Sequence, residues 1–172
     1  MVEHVADFEL PNVAVGPDPF RLSDIASQAE LDAVVLLFQR DYHCVNCRKQ
    51  VQSIADRYEE FEKSNAEVVS VLPEPVEQAR KWQDQYGLPY PLLSDAEKSV
   101  SDEYDQPTRF GALGSLHDML GRMPFAMILD VRSEEPRVAY TYEGKMPADR
   151  PSIDDLLNET GHVVSSDSSI AN

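Results

Sequence analysis

The chain has 172 residues and a formal net charge of −16, with acidic residues spread along its whole length. That length fits one domain that buries its own core without disulfide staples, and the charge excludes nucleic acid, whose phosphates call for Lys and Arg, and anionic membrane surfaces. Arginines (10) outnumber lysines (5), and such an acidic surface, whose self-repulsion salt would screen, favours a halophilic, salt-adapted protein over an ordinary acidic cytosolic one.

The stretch Asp7–Leu22 is rich in Pro, Val and Gly and reads as short strands or extended chain. Ser23 is placed to cap a brief helix over Asp24–Gln28. Val34-Val35-Leu36-Leu37-Phe38 is a continuous apolar run of strand length, as in a strand buried on both faces. A polar turn over Gln39–Asn46 holds the first cysteine, and Val51, Ile54, Ala55, Tyr58 and Phe61 then follow helical spacing toward Ser64-Asn65.

Val68–Leu72 is a second buried strand, stopped by Pro73 and Pro75. The next helix carries Val76, Ala79, Gln83 and Tyr86 on one face, and Gly87 is a natural terminator. Trp82 on this helix reads as packing. Leu88–Leu93 is short and extended, Lys98–Tyr104 is helical, and Leu113–Leu120 within the insertion Asp105–Arg122 fits a short helix. Phe125–Leu129 is a third buried strand, and Arg137–Tyr142 alternates like a strand with one wet side. Ser152 with Asp155 caps a last helix through Ile153, Leu156 and Leu157. The domain is expected over 1–160, with a disordered Ser-rich tail over 161–172.

Strand and helix alternate in the first half, which makes parallel strands with crossover helices. The last two strands share a short turn and must be antiparallel. The expected fold is therefore α/β, a mixed central sheet with helices on both faces. Met1–Asp7 carries Glu3 and Asp7 and no apolar run, and the run Ala33–Phe38 is far too short to span a bilayer. The expectation is a soluble, cytoplasmic protein.

The two cysteines stand three residues apart, Cys44-Val45-Asn46-Cys47, between a buried strand and a helix. A staple would normally close a longer loop, so the pair reads as redox chemistry or metal binding. A structural zinc wants four ligands, and His4, His43, His117 and His162 show no paired spacing. A helix N-terminus stabilises a thiolate through its free N–H groups and dipole. Cys44 is therefore the expected nucleophile and Cys47 the resolving thiol. His43, Arg40, Arg48 and Lys49 are the local cations, opposed by Asp41. Met123-Pro124 precedes the third strand, where proline is permitted and can be cis in a redox site. Arg122 is placed either to add positive charge beside the site or to lie at the surface, and His117, Met119 and Met123 lie in or beside the insertion, where a substrate-facing lid near Cys44 is weighed against packing and surface as their expected role.

The chain resembles the redoxin group, the alkyl-hydroperoxide-reductase and thiol-specific-antioxidant branch of the thioredoxin superfamily. The resemblance rests on Ala6-Asp7-Phe8-Glu9-Leu10-Pro11, on Tyr90-Pro91-Leu92-Leu93-Ser94-Asp95 and on Pro124–Asp130. His43-Cys44-Val45-Asn46-Cys47-Arg48 is most similar to the peroxiredoxin-like 2 subgroup. This implies a thioredoxin-like fold, a cis Pro124, an active Cys44 and antioxidant peroxidase activity. The chain departs from the peroxiredoxin pattern at Asp41, where that pattern has threonine, at Leu37, where it has proline, and at Pro124, where it has arginine.

Three functions stay open at this point: a thiol peroxidase, a thioredoxin-like protein-disulfide reductase, and a redox-sensing module without turnover. The implied partners are a peroxide or protein-disulfide substrate, a reducing thiol (thioredoxin or a small thiol), and a second copy in a homodimer. No organic cofactor is implied, because the dithiol carries the electrons.

Overall fold

The computed structural model describes residues 5–108 and 122–166. Its centre is a five-stranded sheet built from β3 (Ala33–Phe38), β4 (Ala66–Leu72), β5 (Leu92–Ser94), β6 (Phe125–Asp130) and β7 (Arg137–Glu143), in the order β5-β4-β3-β6-β7. The β3–β4 and β4–β5 pairs are parallel, and the β3–β6 and β6–β7 pairs antiparallel. A two-stranded hairpin, β1 (Glu9–Leu10) with β2 (Phe20–Arg21), precedes it.

Every residue of β3 is buried, which is why that strand reads as an unbroken apolar run. Ala33, Val35 and Leu37 face one layer; Val34, Leu36 and Phe38 face the other. The first layer is supplied by α2 (Val45–Asp56), α3 (Tyr58–Lys63), α4 (Val76–Tyr86) and α6 (Ile153–Ser165), through Val51, Phe61, Trp82 and Leu156. The second is supplied by the hairpin, α1 (Leu22–Ala26) and α5 (Ser99–Glu103), through Phe8, Phe20, Ile25 and Val100. This is the mixed sheet with helices on both faces that the element order requires. Each leucine or phenylalanine so buried contributes roughly 1.5–3 kcal/mol relative to exposure. Among the described residues no helix is long and apolar enough to cross a membrane.

Four local expectations are corrected. Ser23 does not cap α1: it lies inside the helix, and its N–H and hydroxyl donate to Asp7 at 2.9 and 2.8 Å. The helix after Cys47 is two helices, because Arg57 leaves helical geometry (φ −118°, ψ 18°) between α2 and α3. The last helix runs to Ser165, past the boundary at 160, so residues 161–165 are helical where a disordered tail was expected. Its capping box between Ser152 and Asp155 is formed as the sequence indicates. Among the described residues the cis peptide is Asp18–Pro19, so Met123–Pro124 is trans rather than cis. The helix expected at Leu113–Leu120, with His117 and Met119, lies outside the described residues.

Candidate active site

The chain leaves β3 and turns sharply before α2, and this turn is held from three sides. Gln39 N–H donates to Val71 C=O at 2.9 Å, and Tyr42 N–H donates to Glu74 at 3.1 Å. Tyr42 C=O accepts from Arg48 (3.0 and 2.8 Å) and from the buried Trp82 indole (3.1 Å). Trp82 therefore packs, as expected, and also braces the turn.

Cys44 is the N-cap of α2, and its sulfur accepts from Cys47 N–H at 3.1 Å. Cys44 and Cys47 form a disulfide with Cα atoms 5.2 Å apart. Cys44 is 6% exposed and Cys47 is 0% exposed, so an incoming reagent meets Cys44 first. Val45 between them is 63% exposed. Arg40 N–H approaches Cys47 Sγ at 3.4 Å.

The guanidinium that reaches the sulfurs is Arg150, which sequence reasoning passes over. Its Nη2 lies 3.2 Å from Cys44 Sγ and 2.8 Å from Cys47 Sγ, while Nη1 donates to Pro147 C=O at 2.8 Å. Burial, and then the neighbouring Arg40 charge, lower its pKa to about 10, and Asp41 acts weakly the other way. The loop that presents it is pinned at both ends. Gly144 N–H donates to Pro124 C=O at 2.8 Å, and Asp149 accepts from Tyr142 and from Lys145 N–H. A Cβ on Gly144 would lie 2.7 Å from Asp149 C=O and 3.0 Å from Pro124, so only glycine allows this approach.

The other expected site residues fall around this core with different contacts. Pro124 is buried and anchors the Arg150 loop through its carbonyl. Met123 is buried, and its carbonyl accepts from Gln106 at 3.0 Å. His43 is exposed, its backbone N–H bonded to the Asp41 carboxylate at 2.8 Å. The Arg48 guanidinium turns to Tyr42 and lies over its ring at 4.8 Å. Arg122 pairs with Asp102 at 2.5 Å, and its carbonyl accepts from Arg40 Nε at 2.7 Å. None of these side chains donates to a sulfur; Arg150 supplies that contact from the far end of the chain. Its only trace in the sequence is a lone arginine before Pro151 in a polar loop.

The AhpC/TSA family pattern matches residues 1–135. The chain belongs to the AhpC/TSA family. A putative peroxiredoxin of Mycobacterium tuberculosis is 33% identical to this AhpC/TSA chain over 136 residues, covering 76% of it and 83% of the relative. Chloroplastic peroxiredoxin Q of Sedum lineare is 34% identical over 104 residues. The match spans 56% of this chain and just over half of that relative's length, 56%. Among solved structures, peroxidoxin BcpB of Mycobacterium tuberculosis superposes with a TM-score of 0.71 at 26% identity, over 95% of each chain. The mitochondrial 2-cys peroxiredoxin of Plasmodium falciparum shares the fold, with a TM-score of 0.74 at 18% identity, over 97% of this chain and 95% of its own.

Proposed function

We propose that this chain is a thiol peroxidase working through Cys44 and Cys47. The observation that carries the reading is the convergence of the α2 N-terminus and the Arg150 guanidinium on a cysteine pair already joined as a disulfide. Family membership and the peroxiredoxin relatives support it.

In the reduced protein the Cys44 thiolate attacks the terminal peroxide oxygen. An S–O bond forms, the O–O bond breaks, and the departing alkoxide or hydroxide takes a proton. Cys47 then attacks the Cys44 sulfenic sulfur, the S–S bond forms, and water leaves. Two electrons from a thiol reductant restore the dithiol by exchange at the more exposed Cys44. Arg150 Nη2 is positioned to donate first to the thiolate and then to the developing oxyanion. It takes over the role of the arginine that the family pattern places where this chain has Pro124. Asp41, when ionised, can only accept, so it does not replace the threonine.

A second reading, protein-disulfide exchange, is favoured by the exposed Val45 inside the dithiol motif and by Met146, 67% exposed in the loop that carries Arg150. Both cases place an apolar side chain where a polypeptide would dock. The deciding experiment follows hydrogen peroxide and an organic hydroperoxide with pre-reduced protein in high salt, beside Cys44→Ser and Cys47→Ser. Fast consumption lost in Cys44→Ser supports the peroxidase. Inert peroxide with rapid insulin reduction overturns it in favour of disulfide exchange. The further elements of the reading are a salt-rich cytoplasm and a homodimer, for which β7, an edge strand among the described residues, is available; sedimentation in high salt tests the latter.

A further inference from the structure

We propose that Arg150 sets the redox poise of the Cys44–Cys47 couple, because among the described residues its charge has no carboxylate in salt-bridge contact beside the disulfide and gains an anionic partner when the pair is reduced. The proposal rests on the pair being the working dithiol; it does not depend on peroxide being the oxidant.

Arg150 forms no ion pair with a carboxylate among the described residues. Its Nη1 is used by Pro147 C=O, its Nε is buried without an acceptor, and its Nη2 faces two sulfurs. The charged groups that bear on it are Arg40, which repels it, and Asp41, which attracts it more weakly. Disulfide sulfurs are neutral and accept hydrogen bonds poorly. The oxidised protein therefore holds a half-buried cation against weak acceptors and next to another cation, an arrangement that costs stability.

Reduction changes one member of this arrangement. A dithiol reductant delivers two electrons, the S–S bond breaks, and the reductant leaves as its own disulfide. Of the two sulfurs released, one keeps a proton and one remains a thiolate, with the second proton passing to solvent. That thiolate lies within hydrogen-bond reach of Nη2, whichever cysteine carries it, since both sulfurs are within 3.2 Å of the same nitrogen. The guanidinium is thus better solvated by the reduced site than by the oxidised one. Through the thermodynamic cycle, that difference favours the dithiol and makes the couple more oxidising, as any feature that stabilises the reduced form does. The loop staples at Gly144, Asp149 and Pro147 keep Arg150 in place in both states, so the preference is built into the backbone.

The test equilibrates full-length protein, Arg150→Gln, Arg150→Met and Arg150→Lys with dithiothreitol redox buffers, followed by acid trapping and mass measurement. Arg150→Gln and Arg150→Met are expected to shift the equilibrium toward the disulfide by about tenfold, which is about 30 mV for a two-electron couple. Arg150→Lys restores most of it. Thiolate absorbance titrated against pH is expected to move upward in the two uncharged variants. Thermal melting supplies the control for a structural role: the uncharged variants should lose stability when reduced and keep or gain it when oxidised. Equal loss in both redox states, with an unchanged equilibrium against dithiothreitol, overturns the proposal. Because no peroxide is present, a failed peroxidase assay and a failed poise measurement remain separate results.

Discussion

Arg150 Nη2 lies 2.8 Å from Cys47 Sγ, and the two residues are 103 positions apart in the chain. The contact joins the loop after the last strand to the first turn of α2, so the sheet order β3-β6-β7 is what brings the cation to the sulfurs.

The order of the two cysteines can be read by trapping. In Cys47→Ser, one equivalent of peroxide should leave a sulfenic acid on Cys44 that dimedone labels in full, with no second turnover. Cys44→Ser should give no label and lose more than about a hundredfold in peroxide consumption, because the buried Cys47 lacks the helix N-cap position. Label on Cys47 in the wild-type background would reverse the assignment.

Gly144→Ala should damage the site from a distance. The added Cβ meets the Asp149 carbonyl at 2.7 Å and Pro124 at 3.0 Å, contacts that only a backbone shift relieves. We expect about 1–3 kcal/mol of lost stability in urea. In the reduced protein, Cys44 alkylation at neutral pH should slow by about tenfold as the thiolate loses its neighbouring cation. Alkylation at the wild-type rate would show that the Arg150 loop tolerates displacement.

Glu67 gives a pH signature unrelated to the cysteines. Burial raises its pKa, while Tyr58 hydroxyl and Val68 N–H, each donating to it at 2.9 Å, act in the opposite sense. A carboxyl raised in the folded state stabilises most when protonated: its contribution is full below the unfolded pKa and is lost as pH rises through the folded pKa. Glu67→Gln keeps an oxygen for both donors and removes the charge. Its melting midpoint should exceed wild type at pH 7, and the two should converge below the ordinary carboxylate range. A variant less stable at pH 7 would contradict the burial argument.

The surface charge predicts salt dependence. With a formal net charge of −16, the melting midpoint should rise steadily between about 0.1 and about 2 M KCl, as the screening length falls from about 10 Å toward 3 Å and below. A midpoint that is flat or falls with KCl removes the halophilic reading.

The parts of the fold legible in the sequence are those whose signal is local. The apolar runs in β3, β4 and β6 announce strands covered on both faces, Gly87 supplies the left-handed helix end at φ 55°, and Ser152 forms its box with Asp155 as the spacing requires. The misreadings occur where a distant partner wins. Ser23 is drawn to Asp7 instead of capping α1. The break at Arg57 has no proline or glycine to mark it; Arg57 there pairs with Glu60 and with Asp154 of α6. At the site, Cys44 and Cys47 were visible because their spacing is chemistry in itself. Arg150 was invisible because nothing near it in sequence says which sulfur it will meet. The cis geometry expected for Pro124 came from resemblance alone, and the bond is trans.

Cys44 caps α2 and Cys47 sits inside its first turn, and the bond from Arg48 N–H to Cys44 C=O is intact at 3.1 Å while the disulfide is closed. Oxidation therefore asks nothing of the helix. The closed disulfide and a fully hydrogen-bonded first turn of α2 coexist, so the cross-link is accommodated within helical geometry. Backbone amide exchange should then report nearly the same protection beyond that single turn whether the pair is closed or reduced.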